Sequence, residues 1–405
     1  MEIKNNELHF GGISASDLVK KYKSPLYIYE ADIIRRQYES LAKDIGCPYL
    51  KIHYAAKANT NSAILKIIRQ LGGNIEVVSE GEVLAVFKAG FKPNQIIYTC
   101  NGAEEEELRF LIENKIAVNL DSLGQIEKWG RLNPDSDISL RLNLGIGAGS
   151  HAHITTGGQK SKFGIHLSGV NKAKKIARKY NLKIIGLHQH IGSGVMDSRV
   201  FGRAMKALLR IAHQFPDLEF IDFGGGLGIP YKPGQKSLNT KMLGKQIADI
   251  MNGFSKEYGK EVKVIIEPGR YLVAQSGTLL AKVTDIKNNP SGTFVSINTG
   301  LNHLIRPAMY SAYHKITNAT CAKGKQKKVT VVGNICESAD VFAKDMFITE
   351  PKEGDILAIH DTGAYGYTMS SFYNARVKPA EVLIDGGRPK LIRKRSGLEE
   401  ILSLT

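Results

Sequence analysis

Apolar and polar residues follow two different rhythms along the chain, and the change between them divides the sequence. From about residue 30 to residue 274, short apolar runs alternate with longer segments in which apolar residues recur every three or four positions. The short runs predict strands at 49–54, 75–78, 96–98, 117–120, 138–142, 184–190, 219–223 and 262–267. Helices are predicted between most of them, for example at 80–89, 104–113, 200–214 and 241–258. This alternation predicts a closed parallel (β/α)8 barrel of the TIM type.

The remainder of the chain has the pattern of an all-β domain, either a sandwich or a small barrel. Strand-like runs crowd together at 276–285, 293–298, 328–332, 355–359, 380–384 and 390–393, with little helical periodicity. Further runs at 8–10 and 26–29 have no partners inside a (β/α)8 barrel, so we expect them to join this C-terminal domain. The predicted domains are therefore 30–274 for the barrel, and 1–29 together with 275–405 for the β domain.

Composition and charge narrow the class of protein. Of 405 residues, 42% are hydrophobic and 23% are charged, as in ordinary globular proteins. No apolar run has the length of a membrane span, and the first residues lack the apolar core of a signal peptide. The four cysteines have no disulfide or metal-ligand spacing, so we expect a reduced, cytoplasmic protein without a metal site. Because no apolar run is long enough to span a membrane, we also expect no membrane partner. The net charge of +16 comes from dispersed basic residues, which disfavours nucleic-acid binding and favours anionic substrates.

Chemically active residues follow the predicted barrel strands, at the face where such barrels carry their chemistry. Lys57 follows the first strand among three alanines, where loss of hydration lowers the pKa of an ammonium group. His190 follows the sixth strand, and the glycines 224–226 after the seventh can present backbone N–H groups to a phosphate. Glu267 ends the eighth strand, which closes against the first and so approaches Lys57. Each residue alone could be structural, but together they are the four supports that a pyridoxal phosphate ring requires.

Four motifs resemble those of the fold-type III, alanine-racemase-like pyridoxal phosphate decarboxylases, in the same order and over nearly the whole chain. Tyr54-Ala55-Ala56-Lys57-Ala58-Asn59 resembles the motif of the lysine that forms the Schiff base, and His190-Ile191-Gly192-Ser193 that of the ring-stacking histidine. Gly224-Gly225-Gly226 resembles the phosphate loop, and Glu267-Pro268-Gly269-Arg270 the motif that carries the partner of the ring nitrogen. The resemblance implies that pyridoxal 5'-phosphate is held by Lys57, His190, Ser193, Gly225, Gly226, Glu267, Gly269, Arg270 and Tyr365.

Other residues resemble the diaminopimelate decarboxylase branch of this family. They are Arg306, Tyr310 and the stretches 151–164, 333–338 and 363–369. An arginine fork binds a carboxylate bidentately, so Arg306 followed by Tyr310 favours a substrate with a second, distal carboxylate. The resemblance implies decarboxylation of meso-2,6-diaminopimelate to L-lysine. It also implies a homodimer with shared active sites, in which Cys336 of a second subunit donates a proton. The substrate contacts implied are Arg270, Arg306, Tyr310, Glu337 and Tyr365.

Two other functions stay open. One is decarboxylation of ornithine, lysine or arginine on the same fold, and the other is a non-catalytic homologue that has lost the cofactor. The presence of Lys57, Glu267 and Cys336 disfavours the second. Three residues depart from the family pattern: Glu76 stands where aspartate is usual, His153 where tyrosine is common, and Gly194 where glutamine is frequent. We expect none of the three to touch the chemistry.

Overall fold

A computed structural model describes residues 1–149, 157–158 and 161–403. The chain forms two compact units. The barrel unit comprises Gln37–Ile229 and Lys236–Leu272, and the β unit comprises Met1–Arg36, Pro230–Gln235 and Val273–Thr405. Whether residues 30–274 and the remainder fold as separate domains stays a prediction.

Short strands and helices alternate through the barrel unit, and strands predominate in the β unit. The strands are β1 (Glu2–Lys4), β2 (Glu7–Phe10), β3 (Ile13–Ser14), β4 (Leu26–Glu30), β5 (Leu50–Ala55), β6 (Asn74–Val77), β7 (Ile96–Thr99), β8 (Ala117–Leu120), β9 (Asp137–Asn143), β10 (Ile165–His166), β11 (Lys183–His188), β12 (Phe220–Asp222), β13 (Lys263–Ile266), β14 (Gly277–Asn289), β15 (Gly292–Ile297), β16 (Ile316–Asn318), β17 (Gln326–Val332), β18 (Val341–Thr349), β19 (Ile356–Ile359), β20 (Ala380–Asp385) and β21 (Arg388–Arg393). The α-helices are α1 (Ala15–Tyr22), α2 (Ala31–Ile45), α3 (Ser62–Gln70), α4 (Glu80–Lys88), α5 (Glu105–Glu113), α6 (Leu123–Leu132), α7 (Val170–Lys179), α8 (Ser198–Ala212), α9 (Thr240–Tyr258), α10 (Arg270–Val273), α11 (Arg306–Tyr310) and α12 (Leu398–Leu402).

The barrel unit contains a closed ring of eight parallel strands. The ring runs β5, β6, β7, β8, β9, β11, β12 and β13, and it closes because β13 pairs with β5. Most strand residues are buried, as expected for strands that lie between a packed interior and a covering layer of helices. The predicted fold class is confirmed, and all eight predicted barrel strands are present with ends no more than two residues from the predicted ones.

The β unit is built around a second sheet, with the strand order β18-β17-β15-β14-β4-β20-β21. Strand β4 lies inside this sheet, antiparallel to β14 on one side and parallel to β20 on the other. The N-terminal run 26–29 therefore joins the C-terminal strands, as predicted. Strands β16 and β19 pair with each other, and β19 also pairs with β14.

The run 8–10 joins the β unit, as expected, but it does so in a separate sheet. Strand β2 pairs with its immediate neighbours β1 and β3 in a three-stranded sheet. Its Leu8 and Phe10 side chains nevertheless pack into the core of the unit. Strand β18 was not predicted, because the charged pair Lys344-Asp345 interrupts its apolar pattern and both residues are exposed.

None of the helices in the described parts of the chain combines the length and the apolar character that crossing a membrane requires.

Candidate active site

Lys57 lies on a 3-10 turn, Ala56–Ala58, directly after β5. Its Nζ atom donates to both carboxylate oxygens of Glu76, at 3.1 and 2.9 Å. Strand register produces this contact, because β5 and β6 are neighbours and Ala55 is paired with Glu76. Glu76 is 1% exposed. Burial raises the pKa of its carboxyl group, and the charge of Lys57 opposes that rise.

The expectation that the Glu76 departure leaves the chemistry untouched is therefore wrong. Glu76 binds the very amine that the sequence selects as the nucleophile. The sequence alone could not reveal this contact, because the two residues are 19 positions apart and meet only through the pairing of β5 with β6.

Glu267 follows β13 and is buried beside two other strand-end residues, His188 of β11 and Asp222 of β12. His188 donates from Nε2 to Glu267 Oε2 at 3.1 Å, and one ligand atom from each of the three residues lies within 4.8 Å of the others. Burial alone would raise the pKa of Glu267. The charge and hydrogen bond of His188, together with the charge of Lys57, instead hold that pKa well below its usual range. The three groups are spaced closely enough to ligate a metal ion, and they also form an anionic contact for a basic ring nitrogen.

The glycine loop after β12 fixes the ring of His190. Gly225 donates its backbone N–H to His190 Nδ1 at 3.0 Å, so this nitrogen is an acceptor. Burial lowers the pKa of His190 well below its usual range, and the charges of Lys57 and Arg141 lower it further, so the ring is neutral. A Cβ atom at Gly225 would lie 2.1 Å from the Glu267 carbonyl oxygen, so only glycine fits between these two loops. Gly226 follows, and its carbonyl oxygen accepts from the Val195 N–H at 2.9 Å.

The loop after β13 reaches the Lys57 turn. A Cβ atom at Gly269 would lie 3.0 Å from Ala58 Cβ and 3.1 Å from Ala55 Cβ, so glycine permits this close approach. Arg270, which is 7% exposed, donates from Nη2 to Ser193 Oγ at 3.0 Å. The barrel unit thus brings together eight of the residues selected from sequence: Lys57, His190, Ser193, Gly225, Gly226, Glu267, Gly269 and Arg270.

The other selected residues belong to the β unit, where Arg306 has a fixed environment. It is 6% exposed at the start of α11, and it donates from Nη1 to His314 Nε2 at 2.8 Å. His314 Nδ1 lies 2.8 Å from the His360 carbonyl oxygen and must donate to it, so Nε2 carries no proton and accepts from Arg306. The guanidinium carbon lies 4.8 Å from the centre of the Tyr231 ring. These contacts fix the direction of the guanidinium group.

Cys336 and Glu337 are exposed residues of the β unit. The Cys336 backbone N–H donates to Asn374 Oδ1 at 2.9 Å, and the Tyr373 hydroxyl donates to the Glu337 carboxylate. These contacts hold the backbone of the segment and leave the thiol at the surface of the unit. Tyr310 and Tyr365 of the same unit are half-buried.

Sequence and structural similarity agree on the family of this chain. A family model described as pyridoxal-dependent decarboxylase, pyridoxal binding domain, matches residues 31–274. The diaminopimelate decarboxylase of Methanothermobacter thermautotrophicus is 38% identical over 405 residues, covering 98% of this chain and 94% of that protein. The chain belongs to the diaminopimelate decarboxylase family. The Escherichia coli K12 member is 36% identical, with 97% of each chain covered. A structure of the M. jannaschii diaminopimelate decarboxylase in co-complex with L-lysine has a TM-score of 0.93 at 32% identity, covering 100% of this chain and 96% of that one.

The barrel unit has the donors and acceptors that the pyridoxal group of a diaminopimelate decarboxylase needs. An aldehyde requires an amine, which Lys57 provides at the end of β5. A basic ring nitrogen requires a buried anion, and Glu267 Oε1 has no hydrogen-bond partner among the residues that the structure describes. A phosphate requires N–H donors and cations: the glycine loop after β12 continues past Gly225, whose own N–H is donated to His190, to the backbone of Gly226, and the loop after β13 carries the cation Arg270. The residues present therefore fit the group.

Several polar residues near this site were not selected from sequence. Arg141 of β9 is 7% exposed, and its guanidinium carbon lies 4.6 Å from the centre of the Phe163 ring. Glu76, His188 and Asp222 are buried in the same barrel. Their shared signal is a charged or titratable side chain at the end of an otherwise apolar strand, the same signal that identified Glu267. Gly194 lies next to Ser193, while His151, His153 and Thr156 lie outside the described residues.

Proposed function

We propose that this protein catalyses the decarboxylation of meso-2,6-diaminopimelate to L-lysine and CO2 with pyridoxal 5'-phosphate as its cofactor. The reaction is the last step of lysine biosynthesis by the diaminopimelate route. The observation that carries the proposal is the placement of a lysine amine, Lys57, and a buried anionic carboxylate, Glu267, directly after the adjacent strands β5 and β13. Membership of the family supplies the substrate class.

In this proposal Lys57 holds the cofactor covalently and Glu267 keeps a proton on its ring nitrogen. His190 would pack against the ring, and Ser193, Gly225 and Gly226 would bind the phosphate. Gly269, Arg270 and Tyr365 complete the proposed set of cofactor-binding residues. When bound, the cofactor withdraws electrons from the α-carbon of the substrate, which is what loss of CO2 requires.

Glu76 has a role in this proposal that the sequence did not suggest. An amine is a nucleophile only after it loses a proton, and Glu76 Oε2 accepts a hydrogen bond from Lys57 Nζ at 2.9 Å. Because burial raises the pKa of Glu76, this carboxylate is able to accept that proton and later return it.

The substrate carries a second carboxylate, which requires a cation held in a fixed direction. Arg306 meets this requirement because His314 and Tyr231 fix its guanidinium group. The proposal assigns the other substrate contacts to Arg270, Tyr310, Glu337 and Tyr365. It assigns proton donation to the Cys336 thiol, supplied with Glu337 by the second subunit of a homodimer. A cytoplasmic location, and the absence of nucleic-acid and membrane partners, stay predictions.

The deciding experiment is product identification with purified, cofactor-loaded protein. We expect meso-diaminopimelate to yield lysine and CO2 in equal amounts, with Lys57→Ala as the inactive control. Parallel reactions contain ornithine, lysine or arginine. Formation of the corresponding diamine or agmatine in place of lysine would replace this proposal with the basic amino-acid alternative. Failure to retain the cofactor at all would favour a non-catalytic homologue.

A further inference from the structure

Three consecutive strands of the barrel end in a cluster that is sealed from solvent. His188 ends β11, Asp222 ends β12, and Glu267 follows β13. Their exposed fractions are 1%, 0% and 3%, and one ligand atom of each lies within 4.8 Å of the others. The function proposed above uses only Glu267, so it does not explain why a second buried carboxylate, Asp222, lies beside it.

The two carboxylates cannot both be ionised in this position. Like charges a few ångströms apart in a buried site repel strongly, so the pair retains one proton over a wide range of pH. Cationic or titratable groups near the pair are Lys57, Arg141, His53 and His190, and Glu76 adds another negative charge. The charges around the pair decide which of the two acids keeps the proton: Lys57 and His188 favour the ionised form of Glu267, whereas Asp222 faces the negative charges of Glu267 and Glu76.

Glu267 accepts from the His188 side chain, whereas Asp222 accepts from a backbone N–H, and each carboxyl group keeps one oxygen without a partner among the described residues. Glu267 Oε2 accepts from His188 Nε2 at 3.1 Å, while Asp222 Oδ1 accepts from the Gly224 N–H at 2.8 Å. Asp222 Oδ2 and Glu267 Oε1 both lack a hydrogen-bond partner among the described residues. The side chains of Asp222 and Glu267 lie within hydrogen-bonding reach of each other, so a proton on Asp222 Oδ2 gives that atom a partner by donating to the Glu267 carboxylate. In agreement, burial and the charge of Glu267 raise the pKa of Asp222 well above its usual range.

We propose that Asp222 is a positioning residue that carries a proton on Oδ2 and, with His188, holds Glu267 ionised and oriented. The role of the oriented carboxylate, contact with the ring nitrogen of pyridoxal phosphate, rests on the proposed function. The protonation of Asp222 does not, because it follows from this chain alone. His188 and Asp222 then both donate to the Glu267 carboxylate, so that its orientation as well as its charge is fixed, and its remaining lone pairs stay available to the ring nitrogen.

Asp222→Asn and Asp222→Leu form a matched pair for the test. Asparagine keeps an oxygen for the Gly224 N–H and places an N–H donor where the proposed hydroxyl lies. Leucine has a similar volume and offers neither. We expect the asparagine variant to keep turnover within about threefold of the wild type, and the leucine variant to lose about 10- to 100-fold, as for a hydrogen bond to a charged group. Equal losses in the two variants, with unchanged melting temperatures, would overturn the proposal.

Two spectroscopic measurements do not depend on turnover. An infrared difference spectrum between wild type and Asp222→Asn should show the C=O stretch of a protonated carboxylic acid at pH 7.5, and a carboxylate band in its place would overturn the proposal. With ring-15N-labelled pyridoxal phosphate, the nitrogen shift should report a protonated ring in wild type and Asp222→Asn, and loss of that proton in Asp222→Leu. A protonated ring in all three proteins would also count against the proposal.

The infrared measurement separates this proposal from the proposed function. If the protein fails to decarboxylate meso-diaminopimelate but shows the acid band, the substrate assignment fails and the assignment of the Asp222 proton stands. If lysine is formed and the acid band is missing, the positioning role fails alone. A stoichiometric divalent metal ion, present in wild type and lost in Asp222→Asn, would also overturn the proposal, because a ligating Asp222 is deprotonated.

Discussion

The candidate site in the barrel unit, formed by Lys57, His190, Glu267 and Arg270, differs from the Cys336 segment of the β unit in how far its reactive groups are exposed to solvent. In the barrel, Glu267 is 3% exposed, and Lys57, His190 and Arg270 each have a hydrogen-bond partner within the same unit. Cys336 is exposed within its own unit. The barrel therefore fixes its groups in advance, as pre-organised chemistry requires. The Cys336 segment instead leaves its thiol at the surface of the β unit, as the proposal that it acts in the site of a second subunit requires.

Arg306 shows that the β unit can also fix a side chain where recognition demands it. It is buried, and His314 and Tyr231 set its direction, although it lies in the same unit as Cys336. The contrast is thus between two tasks rather than between two folds. The groups proposed to bind an ion have fixed positions, and the group proposed to act on a partner's substrate is exposed.

The largest expected effect is that of removing Lys57 from the candidate site in the barrel unit. Lys57→Ala removes the nucleophile and should lower turnover by several orders of magnitude, while the exposed lysine variant Lys66→Ala should behave like the wild type. Borohydride reduction of the loaded wild-type protein, followed by peptide mapping, should place the cofactor on Lys57. A label on any other lysine would show that the candidate site in the barrel unit has been assigned wrongly.

The variant Cys336→Ala tests whether the exposed thiol is the proton donor. If it is, turnover should fall by about 10²- to 10⁴-fold. Cys321→Ala is the matched control. If sites are shared, mixing Lys57→Ala with Cys336→Ala should restore activity, because a mixed dimer has one intact site. Random exchange gives at most about a quarter of the wild-type sites. No recovery, despite subunit exchange shown by mass, would mean that the thiol acts within its own chain or not at all.

A third change tests the charge within the candidate site in the barrel unit. Glu267→Gln removes the anion that keeps the ring nitrogen protonated, and a nearby opposite charge shifts a pKa by about 1–3 units. We expect turnover to fall by about 10- to 1,000-fold and cofactor affinity to fall less. Stopped-flow turnover and equilibrium dialysis of the cofactor distinguish the two effects. Weaker cofactor binding with unchanged turnover would reduce Glu267 to a structural residue.

The barrel could be predicted from sequence because its strands and helices are local patterns. Apolar runs of four to six residues, each followed by an amphipathic segment, are enough to specify the alternation. Lys57 and Glu267 were found for the same reason, since each stands at the end of such a run. The β unit was predicted less completely, because its sheet joins β4 to β14 and β20 across some 250 residues or more.

Partnerships within the site could not be predicted because they depend on strand register. Glu76 faces Lys57 only because β5 pairs with β6, and Asp222 lies beside Glu267 only because β12 pairs with β13. In the sequence both acids are single polar residues within apolar strands. Glu76 was noticed as a departure from the family pattern, but its distance from Lys57 along the chain concealed the contact.

A smaller effect, limited to substrate binding, is expected from changing Arg306, the buried arginine of the β unit. Arg306→Lys keeps the charge but loses the planar fork that binds a carboxylate bidentately. We expect the KM for meso-diaminopimelate to rise by about 10- to 100-fold with cofactor retention unchanged. The exposed Arg376→Lys is the control. An unchanged KM would mean that a different group binds the distal carboxylate.

The smallest expected effect concerns stability and compares buried histidines across the two units. His303 of the β unit is 3% exposed; its Nδ1 accepts from Thr299 Oγ1 at 2.9 Å, and its Nε2 donates to the Val377 carbonyl oxygen at 3.0 Å. The ring is therefore held neutral. Burial lowers its pKa to about 4, as it does for His53 in the barrel unit. The unfolded chain takes up this proton near pH 6.5 and the folded chain only near pH 4, so the stabilisation is complete above pH 6.5 and is lost as the pH falls toward 4.

At pH 5 the wild type should have lost about 2 kcal/mol of unfolding free energy through His303 alone, relative to pH 7. His303→Gln lacks this proton uptake, so the difference in unfolding free energy between wild type and variant should shrink by that amount between pH 7 and pH 5. Urea unfolding followed by near-ultraviolet circular dichroism at the two pH values measures the difference. A difference that stays constant would mean that His303 is able to accept a proton without unfolding, so that the β unit is less tightly packed around this side chain than its two hydrogen bonds indicate.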